Sequence, residues 1–208
     1  MNLMRSKRST ASAIATPSKP PAELYIGGAG DESSRLVLSY AEARRQQVRG
    51  KRDVHYLPHW KITVAQRLAM ELAAEGRPLA LIGHSWGADT VVRAAKMLVA
   101  QAFLIGADPV AKPLTRLTAR DDRPASAAQV VHVDAVPSAY DRSDLVKAAG
   151  FFTGGGVPRA FQMADTRIDT ALNHWNFRGM MEARGADGQS AEDWLAGFPD
   201  LLLSRTVG

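Results

Sequence analysis

Short apolar runs alternate along this chain with longer segments in which apolar residues recur at helical spacing. The runs have the length of strands, and the segments between them have room for crossover helices. This alternation predicts an α/β fold, in which helices cover both faces of a mostly parallel sheet, because strands buried on both faces are apolar throughout. We predict about six strands, at residues 23–26, 53–57, 79–82, 102–105, 130–133 and 161–163.

The segments between the apolar runs carry start and stop signals for helices. Thr63 and Gln66 have the spacing of a capping box, and Gly50 and Gly76 each follow a helical segment. Pro199 is expected to kink or end a C-terminal amphipathic helix. The predicted helices cover residues 33–48, 63–75, 86–97, 143–149, 176–183 and 191–203.

Composition bounds the number of domains and excludes several kinds of chemistry. A chain of 208 residues with 46% hydrophobic residues fits one domain with a full core. It has no cysteine, which excludes disulfides, thiolate metal sites and a cysteine nucleophile. No apolar stretch approaches the length of a membrane span, and residues 1–22 lack the apolar region of a secretory signal peptide. We therefore expect a protein that is cytoplasmic as synthesised, whose export would need a signal-independent route.

The positive charge of the chain is concentrated at its N-terminus. Residues 1–22 hold four basic residues and no acidic one, whereas the remainder holds 22 basic and 21 acidic residues. Because this segment is also rich in Ser, Thr, Ala and Pro, we predict a disordered basic tail at residues 1–22 before one folded α/β domain at residues 23–208. The near-neutral domain gives no reason to expect a nucleic-acid partner.

The most informative stretch is Gly83-His84-Ser85-Trp86-Gly87, which follows an apolar run and precedes a helical segment. A sharp turn between strand and helix exposes the serine hydroxyl, and the flanking glycines let the two elements approach closely. The N-terminus of the helix adds unpaired N–H groups that favour developing negative charge. The pattern resembles the nucleophile elbow of the α/β-hydrolase superfamily, with Ser85 as the nucleophile.

A serine nucleophile needs a general base, and the superfamily's chain order is serine, acid, histidine. Three of the five histidines precede Ser85 and do not fit this order. His132 falls inside a predicted strand, which favours a structural role. His174 lies in a loop, from which an imidazole can reach the ends of the strands, so we predict His174 as the base.

The acid that orients the imidazole is left open between two strand-end carboxylates. Asp108 follows the fourth predicted strand and precedes a proline, a position where aspartate is also common as a turn residue. Asp134 follows the fifth predicted strand, and Asp141 and Asp144 are further candidates.

Two N–H donors are needed for the oxyanion of an acyl-transfer reaction. The backbone N–H of Trp86 is the first candidate, because Trp86 follows the nucleophile. The glycine-rich loop at residues 27–30 is expected to supply the second from Gly28 or Ala29, and Asp31 to fix that loop by accepting backbone N–H groups.

The glycine-rich loop, the elbow, a strand-end Ala-Asp-Pro-Val and a late Asn-His-Trp are most similar to those of small bacterial lipase-like proteins. These include lipase effectors that bacteria deliver by type VI secretion. The resemblance covers residues 23–184. This chain departs from the larger members because it lacks the first two strands of their sheet. It implies a minimal sheet with the second strand at one edge and the elbow strand at its centre. It also implies Asp108 as the acid, although other superfamily members draw the acid from one strand later, where Asp134 would match.

We expect a serine esterase or lipase that acts on an ester or lipid, phospholipids included, without a cofactor or metal. A peripheral membrane contact fits such a substrate. A thioesterase or acyltransferase would use the same three residues, whereas a non-catalytic binding protein would share only the fold. His55 and His59 have no third metal ligand of suitable spacing near them in the sequence. Five aromatic residues are candidates to line an acyl pocket: Trp60, Trp86, Trp175, Phe151 and Phe152.

Overall fold

The described residues form one sheet of six parallel strands with helices on both faces. The structure, a computed structural model, describes residues 19–112, 123–136 and 156–205. The strands are β1 Ala22–Gly27, β2 Asp53–Pro58, β3 Leu79–His84, β4 Ala102–Ala107, β5 Ala127–Ala135 and β6 Thr166–Thr170. The helices are α1 Asp31–Ser34, α2 Leu36–Gln47, α3 Ile62–Ala74, α4 Trp86–Ala95, α5 Arg159–Gln162, α6 Phe177–Glu182 and α7 Ala191–Arg205.

The strand order, β2–β1–β3–β4–β5–β6, confirms the predicted fold class and the expected places of two strands. β2 lies at one edge, and β3 lies inside the sheet, paired with β1 and β4. Because every strand is parallel to its neighbours, the carboxyl ends of all six strands lie side by side, and the loops that follow the strands meet there. We call this end of the sheet the rim. Ser85, Asp108 and His174 follow β3, β4 and β6 and therefore lie at the rim.

Two hydrophobic clusters fill the two sides of the sheet. On one side, Tyr25 of β1 packs with residues of α2, α6 and α7. On the other side, Leu24 and Ile26 of the same strand pack with residues of α3, α4 and α5. Burial of both faces explains why the central strands are apolar throughout, as the sequence predicted.

The helix predicted at residues 33–48 is two helices, α1 and α2, separated at Arg35. Arg35 has a left-handed backbone, with φ of 55°. The break places the Asp31 carboxylate at the start of α2, where it accepts from the N–H groups of Val37 at 2.8 Å and Leu38 at 3.3 Å. These bonds satisfy helix N–H groups that have no partner within the helix. The backbone N–H groups that Asp31 accepts are thus those of α2.

The capping box predicted for α3 is wrong. α3 begins at Ile62 after Lys61, and no side chain caps it. Gln66 instead donates from Nε2 to the Arg93 carbonyl at 3.3 Å, which ties α3 to α4.

The last predicted strand, at residues 161–163, is also wrong. Phe161 belongs to the short helix α5, where its ring is buried against Gly106 of β4. The sixth strand is β6, in which only Ile168 and Thr170 are buried. An edge strand of this kind has one apolar position, so its sequence lacks the apolar run that predicted the inner strands.

Some predictions concern residues outside the described part of the chain. These are residues 1–18 of the tail and the helix at residues 143–149. The predicted tail extends to residue 22, but Ala22 is the first residue of β1. Within the described part, α4 ends at Ala95 rather than residue 97, and α7 continues through Pro199 to Arg205. None of the described helices is both long and apolar enough to cross a membrane.

Candidate active site

Ser85 occupies a strained turn between β3 and α4. Its backbone φ is 50° and ψ is −125°, a region that L-residues adopt at an energetic cost. Three backbone hydrogen bonds hold the turn. Ser85 N–H donates to the Ala107 carbonyl at 3.1 Å, and the Ser85 carbonyl accepts from Ala88 at 3.0 Å and from Val110 at 3.2 Å.

The two glycines that flank Ser85 are required by close backbone approach. A β-carbon on Gly83 would lie 2.6 Å from Cα of Ala88, and one on Gly87 would run into the carbonyl oxygen of Ile26 in β1. The turn can therefore pack against α4 and β1 only when both positions lack a side chain. This is the physical basis of the Gly-x-Ser-x-Gly pattern in this chain.

Asp108 and His174 are hydrogen-bonded to each other beneath the rim. His174 Nδ1 lies 2.5 Å from Asp108 Oδ2, and the exposed fractions are only 2% for His174 and 1% for Asp108. Asp108 has a positive φ of 42°, and its N–H donates to the Val133 carbonyl of β5 at 2.7 Å. A carboxylate paired with Nδ1 leaves Nε2 of the imidazole to accept a proton, which is the arrangement a general base needs.

The turn that carries His174 lies between β6 and α6 and is fixed at several points. Asn173 Oδ1 accepts from the Trp175 N–H at 3.1 Å, and Asn176 Oδ1 caps α6 by accepting from Gly179 at 2.9 Å. The His174 carbonyl accepts from Nε2 of His84 at 2.8 Å. The helix predicted from residue 176 is confirmed as α6.

Asp134, the alternative acid, lies on β5 with its carboxylate on Arg167 of β6. Its Oδ2 lies 2.5 Å from Arg167 Nη2, and 16% of its side chain is exposed. The structure therefore brings Asp108 to Nδ1 of His174 and places Asp134 in an ion pair between two strands. Asp141 and Asp144 lie outside the described residues.

Trp86 and Gly28, two of the three residues predicted to supply oxyanion donors, lie beside the serine. Trp86 is the first residue of α4, a position whose N–H has no acceptor within the helix. A β-carbon on Gly28 would lie 2.9 Å from Cβ of Ser85, so the glycine-rich loop runs directly against the nucleophile. Asp31 anchors that loop to β2, because it accepts from Tyr56 Oη at 2.6 Å. The roles of the Gly28 and Ala29 N–H groups stay a prediction.

A lysine that sequence reasoning missed joins three segments of the rim. Lys112 Nζ donates to the His59 carbonyl at 2.6 Å and to Thr90 Oγ1 at 2.7 Å. Burial lowers the pKa of Lys112 to about 8, and burial with the nearby Lys112 charge lowers the pKa of His59. Lys112 thus ties the loops after β2 and β4 to α4. The His59 ring in turn packs edge-on against Trp86, with centroids 5.3 Å apart.

Chain order excludes His84 as the base, because it precedes the serine. It is the last residue of a fully buried strand, and this position is the only sequence signal that could have marked it as part of the site. His132 lies inside β5, as predicted, and is buried there. Within residues 19–112, 123–136 and 156–205, no three His, Asp or Glu side chains are grouped to hold a metal ion.

Known proteins show little similarity to this chain. No protein-family model matches it, and no curated protein matches it. Among solved structures, an inferred hydrolase of the alpha/beta superfamily from Xanthomonas campestris pv. campestris is similar at 10% identity and a TM-score of 0.47. That similarity covers 90% of this chain and 98% of the other. The α/β fold itself is shown by the parallel sheet and the strand–turn–helix elbow.

The contact between Gly28 and Ser85 predicts that Gly28→Ala impairs the site more than the fold. The new methyl group would displace either the serine or the loop, so we expect kcat for an activated short-chain ester to fall on the order of 100-fold. Gly50→Ala is the matched control, because Gly50 lies after α2, outside the glycine-rich loop, and has nothing within 4 Å of its β-carbon position but a φ of 76°. It should lower stability, measured by urea unfolding, and leave kcat close to that of the wild type. Equal kcat in the two variants would contradict the contact.

Proposed function

We propose that this protein is a serine hydrolase that cleaves carboxylic esters through a covalent acyl-enzyme. The observation that carries the proposal is the buried hydrogen bond between Asp108 and His174, at the rim where Ser85 sits on a strained turn. Three residues that are far apart in the sequence supply the acid, base and nucleophile of a triad. A protein that only bound its ligand would gain nothing from this combination.

In the acylation step, Ser85 Oγ attacks the ester carbonyl carbon and a new C–O bond forms. His174 Nε2 takes the hydroxyl proton, and Asp108 stabilises the resulting imidazolium through Nδ1–H. The N–H of Trp86 and an N–H of Gly28 or Ala29 donate hydrogen bonds to the negatively charged former carbonyl oxygen. These donors come from the start of α4 and from the loop after β1.

The tetrahedral intermediate then collapses and the bond to the leaving alcohol breaks. His174 gives its proton to the alkoxide, which leaves as the alcohol. A water molecule next attacks the acyl-enzyme while His174 takes a proton from it. Collapse of this second intermediate returns the proton to Ser85 Oγ and releases the carboxylic acid, so no external cofactor enters the cycle.

The substrate class we propose is an acyl ester of a lipid, phospholipids included, reached through a peripheral membrane contact. Three apolar side chains that follow strands are exposed along the rim: Trp60 at 53%, Val136 at 52% and Trp175 at 42%. Lys61 adds a cation over the Trp60 ring, 4.2 Å from its centroid. Aromatic and basic side chains along the rim suit the boundary between lipid headgroups and acyl chains.

The identity of the acid is tested by comparing Asp108→Asn with Asp134→Asn. Because an asparagine favours the wrong tautomer of His174 and cannot stabilise its charged form, Asp108→Asn should lower kcat by roughly 10³–10⁴-fold. Asp134→Asn should affect stability and leave kcat near the wild-type value. Steady-state hydrolysis of a p-nitrophenyl ester measures kcat of both variants, with Ser85→Ala as the blank. A larger loss of kcat in Asp134→Asn would show that the wrong carboxylate has been assigned.

The lipid class is tested with the double variant Trp60→Ala/Val136→Ala. Fully burying one apolar side chain contributes about 1.5–3 kcal/mol, and only about half of each of these two side chains is exposed. Losing both contacts should therefore lower hydrolysis of phospholipid vesicles by roughly 10–100-fold, while hydrolysis of a soluble ester is kept. Val99→Ala is the control, since Val99 is 99% exposed and precedes the opposite end of β4. Equal activity of all three proteins on vesicles would remove the support for a lipid surface.

A further inference from the structure

His84 is a buried imidazole that touches the proposed machinery without belonging to the triad. It ends β3 directly before Ser85, and only 3% of it is exposed. Its ring lies between the glycine-rich loop on one side and the turn of His174 on the other. A histidine in this position is costly to bury unless its polar atoms have partners.

One partner of His84 is the backbone of the base itself. Nε2 of His84 lies 2.8 Å from the carbonyl oxygen of His174. A carbonyl oxygen only accepts, so Nε2 must carry the proton and donate it. The bond therefore selects one tautomer of His84. It also fixes the position of the His174 backbone relative to the end of β3.

The two imidazole rings are also packed against each other. Their centroids are 4.6 Å apart with an angle of 36° between the planes. Phe177 also packs against His84, with centroids 5.6 Å apart and an angle of 68° between the planes. The position of the His174 ring is thus constrained twice, through its own backbone and through its face.

The charge of His84 suits a place beside a base that becomes positive. Burial, together with the nearby His174, lowers the pKa of His84 to about 3. The ring therefore stays neutral around pH 7 and does not repel an imidazolium forming on His174. Asp108 is the other titratable group that acts on it.

A third contact joins His84 to the oxyanion side of the site. A β-carbon on Gly28 would lie 3.1 Å from Nδ1 of His84 and 3.2 Å from its carbonyl oxygen. The His84 ring therefore contacts both the glycine-rich loop and the His174 turn. Ser85, the proposed nucleophile, is the next residue in the chain.

We propose that His84 is a positioning residue, which sets His174 relative to Ser85 by donating a hydrogen bond from Nε2 to the His174 carbonyl. This inference rests on the proposed serine-hydrolase function for its effect on turnover, but the hydrogen bond and the tautomer do not depend on that function. Simple core packing is the competing explanation, and it predicts that any ring of similar size would serve.

Two substitutions separate positioning from packing. His84→Phe keeps a ring and loses the donor, and we expect kcat for a p-nitrophenyl ester to fall by about 10–100-fold with KM little changed. His84→Gln loses the ring and keeps an N–H donor near the place of Nε2, so it should recover most of the lost kcat. Phe103→Leu controls for core destabilisation, because Phe103 is fully buried at the far end of β4. Wild-type kcat in His84→Phe, or equal losses in the Phe and Gln variants, would overturn the proposal.

Nitrogen-15 NMR of the histidine side chains supplies a readout that needs no turnover. His84 should be neutral with its proton on Nε2 between about pH 5 and pH 8. The Nδ1–H signal of His174, hydrogen-bonded to Asp108, should weaken in His84→Phe and persist in His84→Gln. A proton on Nδ1 of His84, or a His174 signal unchanged in His84→Phe, would overturn the positioning role. A wild type with these NMR features but no ester turnover would instead refute the proposed function alone.

Discussion

Ser85 holds a backbone conformation that an L-residue avoids, and the segments around it supply the contacts that maintain it. The Ser85 N–H donates to the carbonyl of Ala107 in β4, and the N–H of Val110, which follows β4, donates to the Ser85 carbonyl. β1 approaches so closely that only glycine fits at position 87. Neighbouring strands on both sides of β3 thus fix the turn, which is why its central place in the sheet matters.

The same two neighbours hold the groups that would act with the serine. β1 leads into the glycine-rich loop that lies against Ser85, and β4 leads into Asp108. Asp108 is itself held in a left-handed conformation by its bond to Val133. Among the described residues with side chains, Arg35, Ser85 and Asp108 have positive φ, so two of the three strained positions lie in the candidate site. Strain concentrated there is typical of a pre-organised site.

Burial makes the polar contacts of this site depend on one another. Asp108 and His174 are almost completely removed from solvent, and an unpaired charge in such surroundings is costly. His84 satisfies the His174 carbonyl and stays neutral because burial lowers its pKa. The His174 imidazole is therefore oriented from Nδ1 by a carboxylate and from its backbone by a second histidine.

The inner strands and the elbow could be predicted from sequence because both depend on local pattern. Apolar runs mark β1, β3 and β4, and Gly83 and Gly87 mark the turn between β3 and α4. β6 was missed because an edge strand buries only one face and has no such run.

The choice between Asp108 and Asp134 could not be made from the residues, because both carboxylates follow strands at the same rim. It depends on side-chain direction. The positive φ of Asp108 accompanies its contact with His174, whereas Asp134 pairs with Arg167 across β6. The role of His84 was equally out of reach, because it depends on a contact with a residue 90 positions later in the chain.

The central claim is that Ser85 is an activated nucleophile, and covalent labelling tests it most directly. The purified protein, shown to be folded by circular dichroism, would be treated with a fluorophosphonate and the adduct mapped by mass spectrometry. The account predicts one adduct per chain, on Ser85, formed far more slowly in Asp108→Asn than in the wild type. A folded protein that forms no adduct, or forms it on another residue, would contradict the account.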